Sequence, residues 1–379
     1  MESNPRVLIV GGGIGGIFLA ILLQRAGIDY EIFERAAQIK PLGSAMVAGP
    51  NILPVFEQLG LLEDIEKISK PLKCLNIYTG DMEKLGSIDA NIKERTGYHS
   101  LAFSRKNLHS LLLSQIPPHK IHFGKKVLAM QEVGEGVTIR CSDNSSYVGD
   151  ILVGADGAYS GVRQSLYKQL ARDHLLPKSD EEELTMRYTC LVGTTNSLNP
   201  EEHPYLKDEF CQFEIVLSNN TSESVACFTI PENKICWVYT IQLPASAPYE
   251  HFRNSEWGPE AAQSMSEKVR HAKAPFGLDM GQLIDFTPKE AISKVMLEEK
   301  FFETWYHRRT ALIGDGNAGQ GAINAMQDAT ILANCINDIK KLSVSKIAAA
   351  LKDYQKQRYQ YAKAQYETSK RFAVIMGGQ

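Results

Sequence analysis

A glycine-rich turn near the start of the chain has the residue types and the spacing that bind a phosphate group. Residues 7–16 read VLIVGGGIGG, in which Gly11, Gly13 and Gly16 form a GxGxxG pattern directly after apolar residues typical of a buried strand. The first glycine permits a tight turn, the second lets the backbone approach a pyrophosphate, and the third lets helix and strand pack closely. The free N–H groups at the start of the following helix then favour an anionic ligand.

An acidic residue follows this turn at the spacing expected of a ribose ligand. The segment YEIFER predicts a second strand, and Glu34 near its end comes 18 residues after Gly16. A carboxylate near this spacing accepts hydrogen bonds from ribose hydroxyls in dinucleotide-binding folds. Strand, turn, helix and Glu34 together predict a dinucleotide site. The same pattern also fits a turn between strand and helix without a ligand, and it does not choose between NAD and FAD.

Two further segments carry polar residues at the ends of predicted elements. Residues 150–166, DILVGADGAYSGVRQSL, predict a strand, an Asp156-Gly157 turn and a helix. Residues 103–113, FSRKNLHSLLL, place Arg105 ahead of a helix. Taken alone, the first also fits an ordinary Asp-Gly turn, and the second an exposed arginine near a helix N-terminus.

A second glycine-rich turn lies in the C-terminal half of the chain. Residues 312–329 read LIGDGNAGQGAINAMQDA, in which Asp315, Gly319 and Gly321 stand between a short apolar run and a predicted helix. The N–H groups and the dipole of such a helix favour negative charge. A long dinucleotide needs more than one contact of this kind, because one loop reaches only one of its ends.

These motifs, in this order and spread over nearly the whole chain, resemble those of the class A FAD-dependent aromatic-ring hydroxylases and epoxidases. The matching set is GxGxxG with its acidic partner, R-x-x-L, VGADG-x-x-S-x-V-R and GD followed by GQG. Residues 40–62 and the ending RFAVIMGGQ look most like the fungal members. The resemblance implies FAD as cofactor and NAD(P)H as reductant.

The resemblance also implies a role for each matching residue. The GxGxxG loop and the acidic residue would hold the ADP part of FAD, and the arginine would lie along the ribityl–pyrophosphate chain. The Asp-Gly pair would support the pyrophosphate and take part in NAD(P)H use. The aspartate of GD would bind the ribityl hydroxyls, and the glycines after it would meet the pyrophosphate and the isoalloxazine edge. The implied cofactor-binding residues are Gly11, Gly13, Gly16, Glu34, Arg105, Asp156, Gly157, Asp315, Gly319 and Gly321.

The implied reaction inserts one oxygen atom from O2 into a small organic substrate, by aromatic hydroxylation or alkene epoxidation, through a C4a-hydroperoxyflavin. Because the cofactor carries this chemistry, we predict no catalytic acid or base from the sequence. Two alternatives stay open, namely a flavin oxidase or reductase of the same fold and an FAD-binding protein that has lost turnover. The sequence specifies neither the substrate nor an oligomeric state.

The second glycine-rich turn departs from the family pattern. Relatives usually carry a longer segment of the form GDxxHxxxP, whereas only residues 316–318 separate Asp315 from Gly319 here. The histidine and the proline are absent, and Ile323 stands where many relatives have asparagine. This is consistent with a real deletion, an error in the gene model or a loop missing from the sequence. A real deletion predicts weak FAD binding, since fewer N–H groups can reach the pyrophosphate.

Composition excludes several other classes of function. A net charge of −3 over 379 residues indicates neither a nucleic-acid partner nor binding to an anionic membrane. Glycines interrupt the apolar start of the chain, so we expect no transmembrane segment. The nine histidines form no HExxH motif, and no metal site is expected. The seven cysteines form no CxxC pair, which predicts free thiols and a cytoplasmic location.

We therefore predict an α/β fold: a discontinuous Rossmann-like FAD-binding domain, a β-sheet substrate domain and a C-terminal helix. Trp237 and Tyr239 share a strand face that either lines a substrate cavity or, as we favour, belongs to the core. The acidic run at 180–183 is interpreted as solvated, and the tail tyrosines as packed against the body. The predicted domains are 1–70, 101–184 and 290–340 for FAD, 71–100 and 185–289 for substrate, and 341–379 for the helical tail.

Overall fold

A computed structural model describes residues 4–38, 45–134, 136–219, 222–243, 259–314 and 321–376. The strands of these residues are, in chain order, β1 (Arg6–Val10), β2 (Asp29–Phe33), β3 (Ala45–Ala48), β4 (Ser69–Thr79), β5 (Lys84–Asp89), β6 (Ser100–Ser104), β7 (Ile121–His122), β8 (Val127–Val133), β9 (Gly136–Cys141), β10 (Ser146–Gly149), β11 (Ile151–Gly154), β12 (Thr185–Thr194), β13 (Cys211–Leu217), β14 (Glu223–Ile230), β15 (Lys234–Gln242), β16 (Ser293–Glu299), β17 (Tyr306–His307) and β18 (Thr310–Leu312).

The α-helices of the described residues connect and cover these strands. In chain order they are α1 (Ile14–Arg25), α2 (Leu53–Gln58), α3 (Leu62–Lys67), α4 (Lys93–Thr96), α5 (Arg105–Leu113), α6 (Gly161–Arg172), α7 (Lys178–Glu181), α8 (Pro259–Val269), α9 (Met280–Asp285), α10 (Gly321–Asn337) and α11 (Val344–Met376). Among the described residues, no helix combines the length and the apolar character needed to cross a membrane. The predicted α/β fold class is confirmed.

The chain divides into two compact units, each made of separate segments. The first unit comprises Met1–Lys40, His109–Leu184 and Glu299–Ser369. The second comprises Pro41–Leu108, Thr185–Glu298 and Lys370–Gln379.

The first unit is built on a six-stranded sheet in the order β17-β18-β11-β1-β2-β7. Its strands are parallel except β17, which runs antiparallel to β18. Residues 7–10 are almost completely buried, as expected for a central strand covered on both faces. Helix α1 is buried over most of its surface, which explains why its sequence is apolar on all sides. A separate antiparallel sheet, in the order β10-β9-β8, completes the strands of this unit.

The second unit is built on a nine-stranded sheet in the order β16-β12-β15-β14-β13-β4-β6-β3, with β5 paired to β4. Trp237 and Tyr239 lie in its apolar core together with side chains of α8 and α9, and Trp237 is completely buried. The indole N–H of Trp237 donates to Thr287 Oγ1 at 2.9 Å, so its polar atom is satisfied inside the core. The core interpretation of these two residues is confirmed.

The units do not coincide with the predicted domain boundaries. Residues 41–70 and 101–108 belong to the second unit, because β3, β4 and β6 pair with one another in the nine-stranded sheet. Residues 290–298 also fall in the second unit, since β16 is the edge strand of that sheet. Most of the tail, up to residue 369, belongs to the first unit rather than forming a separate segment.

The tail tyrosines pack as predicted at three of four positions. Tyr354 is completely buried beside Trp305, and Tyr359 and Tyr366 pack edge-on or tilted against Phe301. Tyr361 is 70% exposed, so its interpretation as a packing residue was wrong. Tyr361 lies seven residues after the buried Tyr354 and so on the same helix face, which means that the helical period alone does not separate the two.

The acidic run at 180–183 is not uniformly solvated. Asp180 is only 5% exposed, and its two carboxylate oxygens accept the backbone N–H groups of Glu303 and Thr304 at 2.8 and 2.9 Å. The neighbouring Glu181 and Glu183 are exposed. The solvated interpretation was therefore wrong for Asp180, which satisfies two backbone donors.

Replacing Asp180 with alanine is expected to lower the free energy of unfolding by about 1–3 kcal/mol, because it leaves two partly buried N–H groups without their acceptor. Glu183→Ala, in the same run but exposed, is the matched control and should stay within about 0.5 kcal/mol of the wild type. Urea denaturation followed by circular dichroism measures both. Equal losses in the two variants would show that the Asp180 contacts contribute nothing specific.

Candidate functional site

The turn after β1 is held in a geometry that only glycine tolerates. Gly11 has φ of +112°, and a Cβ built on it would lie 2.3 Å from the carbonyl oxygen of Ala155. A Cβ on Gly16 would lie 2.1 Å from the carbonyl oxygen of Gly11. Gly11 thus lets the turn pass against the end of β11, and Gly16 lets α1 begin against the turn.

Gly13 differs from both, because a Cβ built there would meet no atom within 4 Å. Gly13 is also the N-cap of α1, and no side chain caps this helix. The first N–H groups of a helix have no partner inside the helix, so those of α1 are available to a ligand. Open space beside uncapped amides is the geometry that a pyrophosphate requires.

Glu34 lies directly beside this turn. Its Oε2 accepts the N–H of Gly12 at 2.7 Å, and its Oε1 accepts the N–H of Ala36 at 2.8 Å. Each carboxylate oxygen offers two lone pairs and uses one of them in these bonds. The carboxylate is therefore held in position by the backbone and keeps the capacity to accept from ribose hydroxyls.

His109 is a contact to this turn that sequence reasoning missed. This side chain, in the middle of α5, places Nε2 2.8 Å from the carbonyl oxygen of Gly12. Together with Glu34 it holds both the N–H and the carbonyl of Gly12. The sequence offered only a weak signal, a single histidine within a leucine-rich helix.

Asp156 and Gly157 lie at the end of β11, the parallel neighbour of β1. Asp156 accepts the hydroxyl of Ser160 and the N–H groups of Gly161 and Val162, the last two at 2.7 and 3.3 Å. Ser160 in turn accepts the N–H of Arg163 at 2.9 Å and caps α6. The carboxylate of Asp156 thus bonds to the start of the helix that follows it, as expected of an ordinary Asp-Gly turn between a strand and a helix. The space around Gly157 is open, since a Cβ there would meet nothing within 4 Å.

The second glycine-rich turn is described only in part. Asp315 and Gly319 lie outside the described residues. Gly321 is the first residue of α10, and Gly314, at the exit of β18, donates its N–H to Asp328 Oδ2 at 3.0 Å. The exit of β18 at Gly314 therefore lies beside α10, within the first unit.

Arg105 is the first residue of α5 and belongs to the second unit. Its side chain is exposed to water, yet desolvation lowers the pKa of the guanidinium from its ordinary value. No neighbouring carboxylate of the described residues offsets the lost hydration, which leaves a cation suited to an anionic ligand.

These observations fit a dinucleotide at the turn after β1. The N-terminus of α6 is satisfied by Asp156 and Ser160, whereas that of α1 faces open space at Gly13. A carboxylate suited to a ribose stands beside it at Glu34. The residues present therefore fit the ADP part of FAD, with α1 as the phosphate site.

Comparisons with known sequences agree with this geometry. Residues 4–176 match the family model described as the FAD binding domain. The chain is 30% identical to the FAD-dependent monooxygenase ausM of Penicillium brasilianum over 390 residues, which cover 97% of this chain and 78% of that protein. It is also 30% identical to the FAD-dependent monooxygenase ptmM of Penicillium ochrochloron, covering 98% of this chain and 89% of the relative.

Solved structures show the same fold at low identity. HpxO of Klebsiella pneumoniae, crystallised with FAD and uric acid, aligns with a TM-score of 0.78 and 22% identity over 100% of this chain and 90% of its own. The 2,6-dihydroxypyridine-3-hydroxylase of Arthrobacter nicotinovorans aligns with a TM-score of 0.76 and 19% identity, covering 100% of this chain and 94% of the other.

The contrast between Gly13 and Gly16 predicts two different alanine phenotypes. Gly13→Ala should keep the stability within about 0.5 kcal/mol of the wild type, because the added methyl group meets no protein atom. It should weaken FAD binding about tenfold or more, because the methyl group occupies the space where the pyrophosphate approaches.

Gly16→Ala is the matched control and should lower stability by about 1–3 kcal/mol, although alanine is the better helix former. Urea denaturation of the FAD-free chain and titration with FAD measure the two effects separately. Unchanged FAD affinity in Gly13→Ala would remove the α1 terminus from the site.

Proposed function

Because the chain belongs to the family of FAD-dependent monooxygenases, we propose that it oxidises NAD(P)H and inserts one atom of O2 into a small organic substrate. The reaction would hydroxylate an aromatic ring or epoxidise an alkene. In balance, substrate, O2, NAD(P)H and a proton yield the oxygenated product, water and NAD(P)+. Bound FAD would supply the redox chemistry by passing electrons from NAD(P)H to oxygen.

The observation that carries the proposal is the uncapped N-terminus of α1 beside Gly13 and Glu34. In the proposal, the α1 amides bind the pyrophosphate and Glu34 accepts from the adenosine ribose. Gly11 and Gly16 shape this turn through their close backbone approaches. In the proposal, these residues bind and orient the ADP part of FAD.

The remaining implied contacts stay predictions from the resemblance. They are Arg105 along the ribityl–pyrophosphate chain, Asp156 and Gly157 at the pyrophosphate, Asp315 at the ribityl hydroxyls, and Gly319 and Gly321 near the isoalloxazine edge. For Asp156 the role would have to be indirect, because its carboxylate already caps α6. We propose that it holds the open backbone around Gly157 in place.

An apolar face of the nine-stranded sheet in the second unit supports the proposal of a small organic substrate. Ala226 and Val238 are cross-strand neighbours on the face opposite Trp237, and both are partly exposed. Thr240 follows on the same face and adds a hydroxyl. A partly exposed surface of this composition is suited to an uncharged ligand, and we propose that the substrate is apolar.

The location that we propose is the cytoplasm. All seven cysteines are free thiols, and six of them are buried. Free thiols persist in reducing compartments, which also supply the reduced nicotinamide that the reaction consumes. The oligomeric state stays open.

The reaction predicts that aromatic or alkene substrates stimulate NAD(P)H consumption by the FAD-loaded chain. One atom from labelled O2 should appear in the product and the other in water, as mass spectrometry of the product measures. NADH and NADPH are compared under the same conditions. Hydrogen peroxide equal to the NAD(P)H consumed, with every substrate, would instead support an oxidase.

A second candidate function follows from the short segment between Asp315 and Gly319. A chain with fewer amides at the pyrophosphate would keep the fold but hold FAD more weakly and lose turnover. The visible absorption of the flavin after desalting distinguishes a chain that retains FAD from one that has lost it. Retained flavin without substrate-stimulated NAD(P)H consumption would favour the binding protein.

Glu34→Ala is expected to weaken FAD binding by about 1–3 kcal/mol, because the ribose loses a charged acceptor and Gly12 loses its anchor. Glu34→Gln is the matched control, since its carbonyl oxygen still accepts one of these bonds, and it should lose less affinity. Fluorescence titration with FAD measures both. Equal affinity in the wild type and Glu34→Ala would exclude Glu34 from the site.

A further inference from the structure

The peptide group that joins Gly12 to Gly13 is held on one side by His109. Nε2 of His109 lies 2.8 Å from the carbonyl oxygen of Gly12, and both residues belong to the first unit. Because a carbonyl oxygen can only accept, the imidazole must carry a hydrogen on Nε2 and donate it. The contact therefore specifies the nitrogen that is protonated and the direction in which the carbonyl points.

A second side chain holds the preceding peptide group of the same turn. Glu34 Oε2 accepts the N–H of Gly12 at 2.7 Å, and that N–H belongs to the peptide between Gly11 and Gly12. Two successive peptide groups are thus bonded to two different side chains, which come from β2 and α5. The two bonds can be removed one at a time, because each involves a separate residue.

Planarity connects the His109 contact to the other side of the turn. The carbonyl of Gly12 and the N–H of Gly13 belong to one trans peptide group, so they point in opposite directions. The N–H of Gly13 has no hydrogen-bond partner among the described residues, and the space beside its Cα is open. A bond that holds the carbonyl towards α5 therefore directs this N–H away from α5.

Glycine on both sides makes this peptide group easy to turn over. Its rotation changes ψ of Gly12 and φ of Gly13, and glycine tolerates a wide range of both angles. In the flipped orientation a carbonyl oxygen would replace the N–H beside the uncapped start of α1 and would repel an anion. The glycine pattern alone does not select one orientation, whereas a donor to the Gly12 carbonyl does.

The packing of α5 holds His109 in place for this role. Leu108 and Leu112 of the same helix are completely buried. His109 comes one residue after the first and three before the second, so it stands beside the buried stripe and is itself partly buried. The imidazole is therefore carried by a helix that is anchored independently of the turn.

We propose that His109 is a positioning residue for the cofactor, and that its N–H selects the orientation of the Gly12–Gly13 peptide in which Gly13 donates to the pyrophosphate. The proposal rests on the proposed function, in which the start of α1 binds the pyrophosphate of FAD. Glu34 acts on the neighbouring peptide and on the ribose, so the effects of the two side chains are separable. His109 touches neither substrate nor cofactor in this assignment.

The first test compares His109→Phe and His109→Gln with the wild type by fluorescence titration with FAD. Phenylalanine keeps a flat ring but has no N–H, whereas glutamine keeps an N–H donor at a comparable reach. FAD affinity should fall about tenfold or more in His109→Phe, because a hydrogen bond to the charged pyrophosphate is lost. His109→Gln should recover most of this loss. His109→Leu, which also lacks the donor, serves where His109→Phe is too unstable to purify.

Two fragments of FAD distinguish a misdirected peptide from general damage to the turn. ADP contains the pyrophosphate and adenosine does not, and calorimetric titration of the FAD-free chain measures the affinity for each. His109→Phe should weaken ADP binding about tenfold and leave adenosine binding within about twofold of the wild type. Glu34→Ala should weaken both, because the ribose loses its acceptor.

Leu112→Ala is the matched control for the packing of α5. It removes a completely buried side chain of the same helix without touching the His109 contact. Urea denaturation should show a less stable FAD-free chain, because a cavity replaces the side chain. The ratio of ADP affinity to adenosine affinity should stay that of the wild type.

The outcomes separate this inference from the proposed function. A wild-type chain that binds neither FAD nor ADP overturns both. Wild-type binding with the same ADP affinity in His109→Phe overturns only the role of His109. Equal losses of ADP and adenosine affinity in His109→Phe also overturn that role, because the whole turn would then be damaged. An ADP-selective loss of the same size in Leu112→Ala overturns it as well, since the packing of α5 alone would explain the effect.

Discussion

Two segments of backbone meet Gly11 so closely that no side chain fits between them. The positive φ of Gly11 and its contact with Ala155 join the end of β1 to the end of β11, and Gly16 brings α1 onto the carbonyl of Gly11. Parallel pairing of β1 with both β2 and β11 then determines what stands on either side of the turn. Glu34 follows β2 and Asp156 follows β11, so both carboxylates stand beside it because of this one close approach.

The two carboxylates nevertheless act differently, and the difference lies in the helix that each one faces. Asp156 and Ser160 satisfy the first amides of α6, which leaves that helix end with no attraction for an anion. Glu34 accepts from the loop residue Gly12 instead, and the amides at the start of α1 keep no side-chain partner. A negative ligand is therefore favoured at α1 over α6, although both helices begin after a glycine-containing turn.

The sequence predicted what depends on local pattern, and it failed where a partner lies far along the chain. The glycine spacing and the apolar run of residues 7–10 determine a turn, a buried strand and a helix within one short segment. The acidic run shows the limit, since nothing in its composition separates Asp180, which bonds to residues 123 and 124 positions away, from its exposed neighbours. His109 was missed for the same reason, because its partner Gly12 is 97 residues distant. The hydrophobic period of an element predicts which of its faces is buried, but it does not predict which polar group of another element that face contacts.

The tail helix α11 is a second case in which polar contacts between residues distant in sequence position an element. Periodicity predicted an amphipathic helix, and its buried face, with Ile347, Leu351 and Tyr354, agrees. The hydroxyl of Tyr354 and the guanidinium of Arg358 fix its position, since the first donates to the carbonyl oxygen of Leu312 and the second to Asp328 and Asn324 of α10. The last helix is consequently bonded to α10 and to the end of β18, and up to residue 369 it belongs to the same compact unit as the GxGxxG turn.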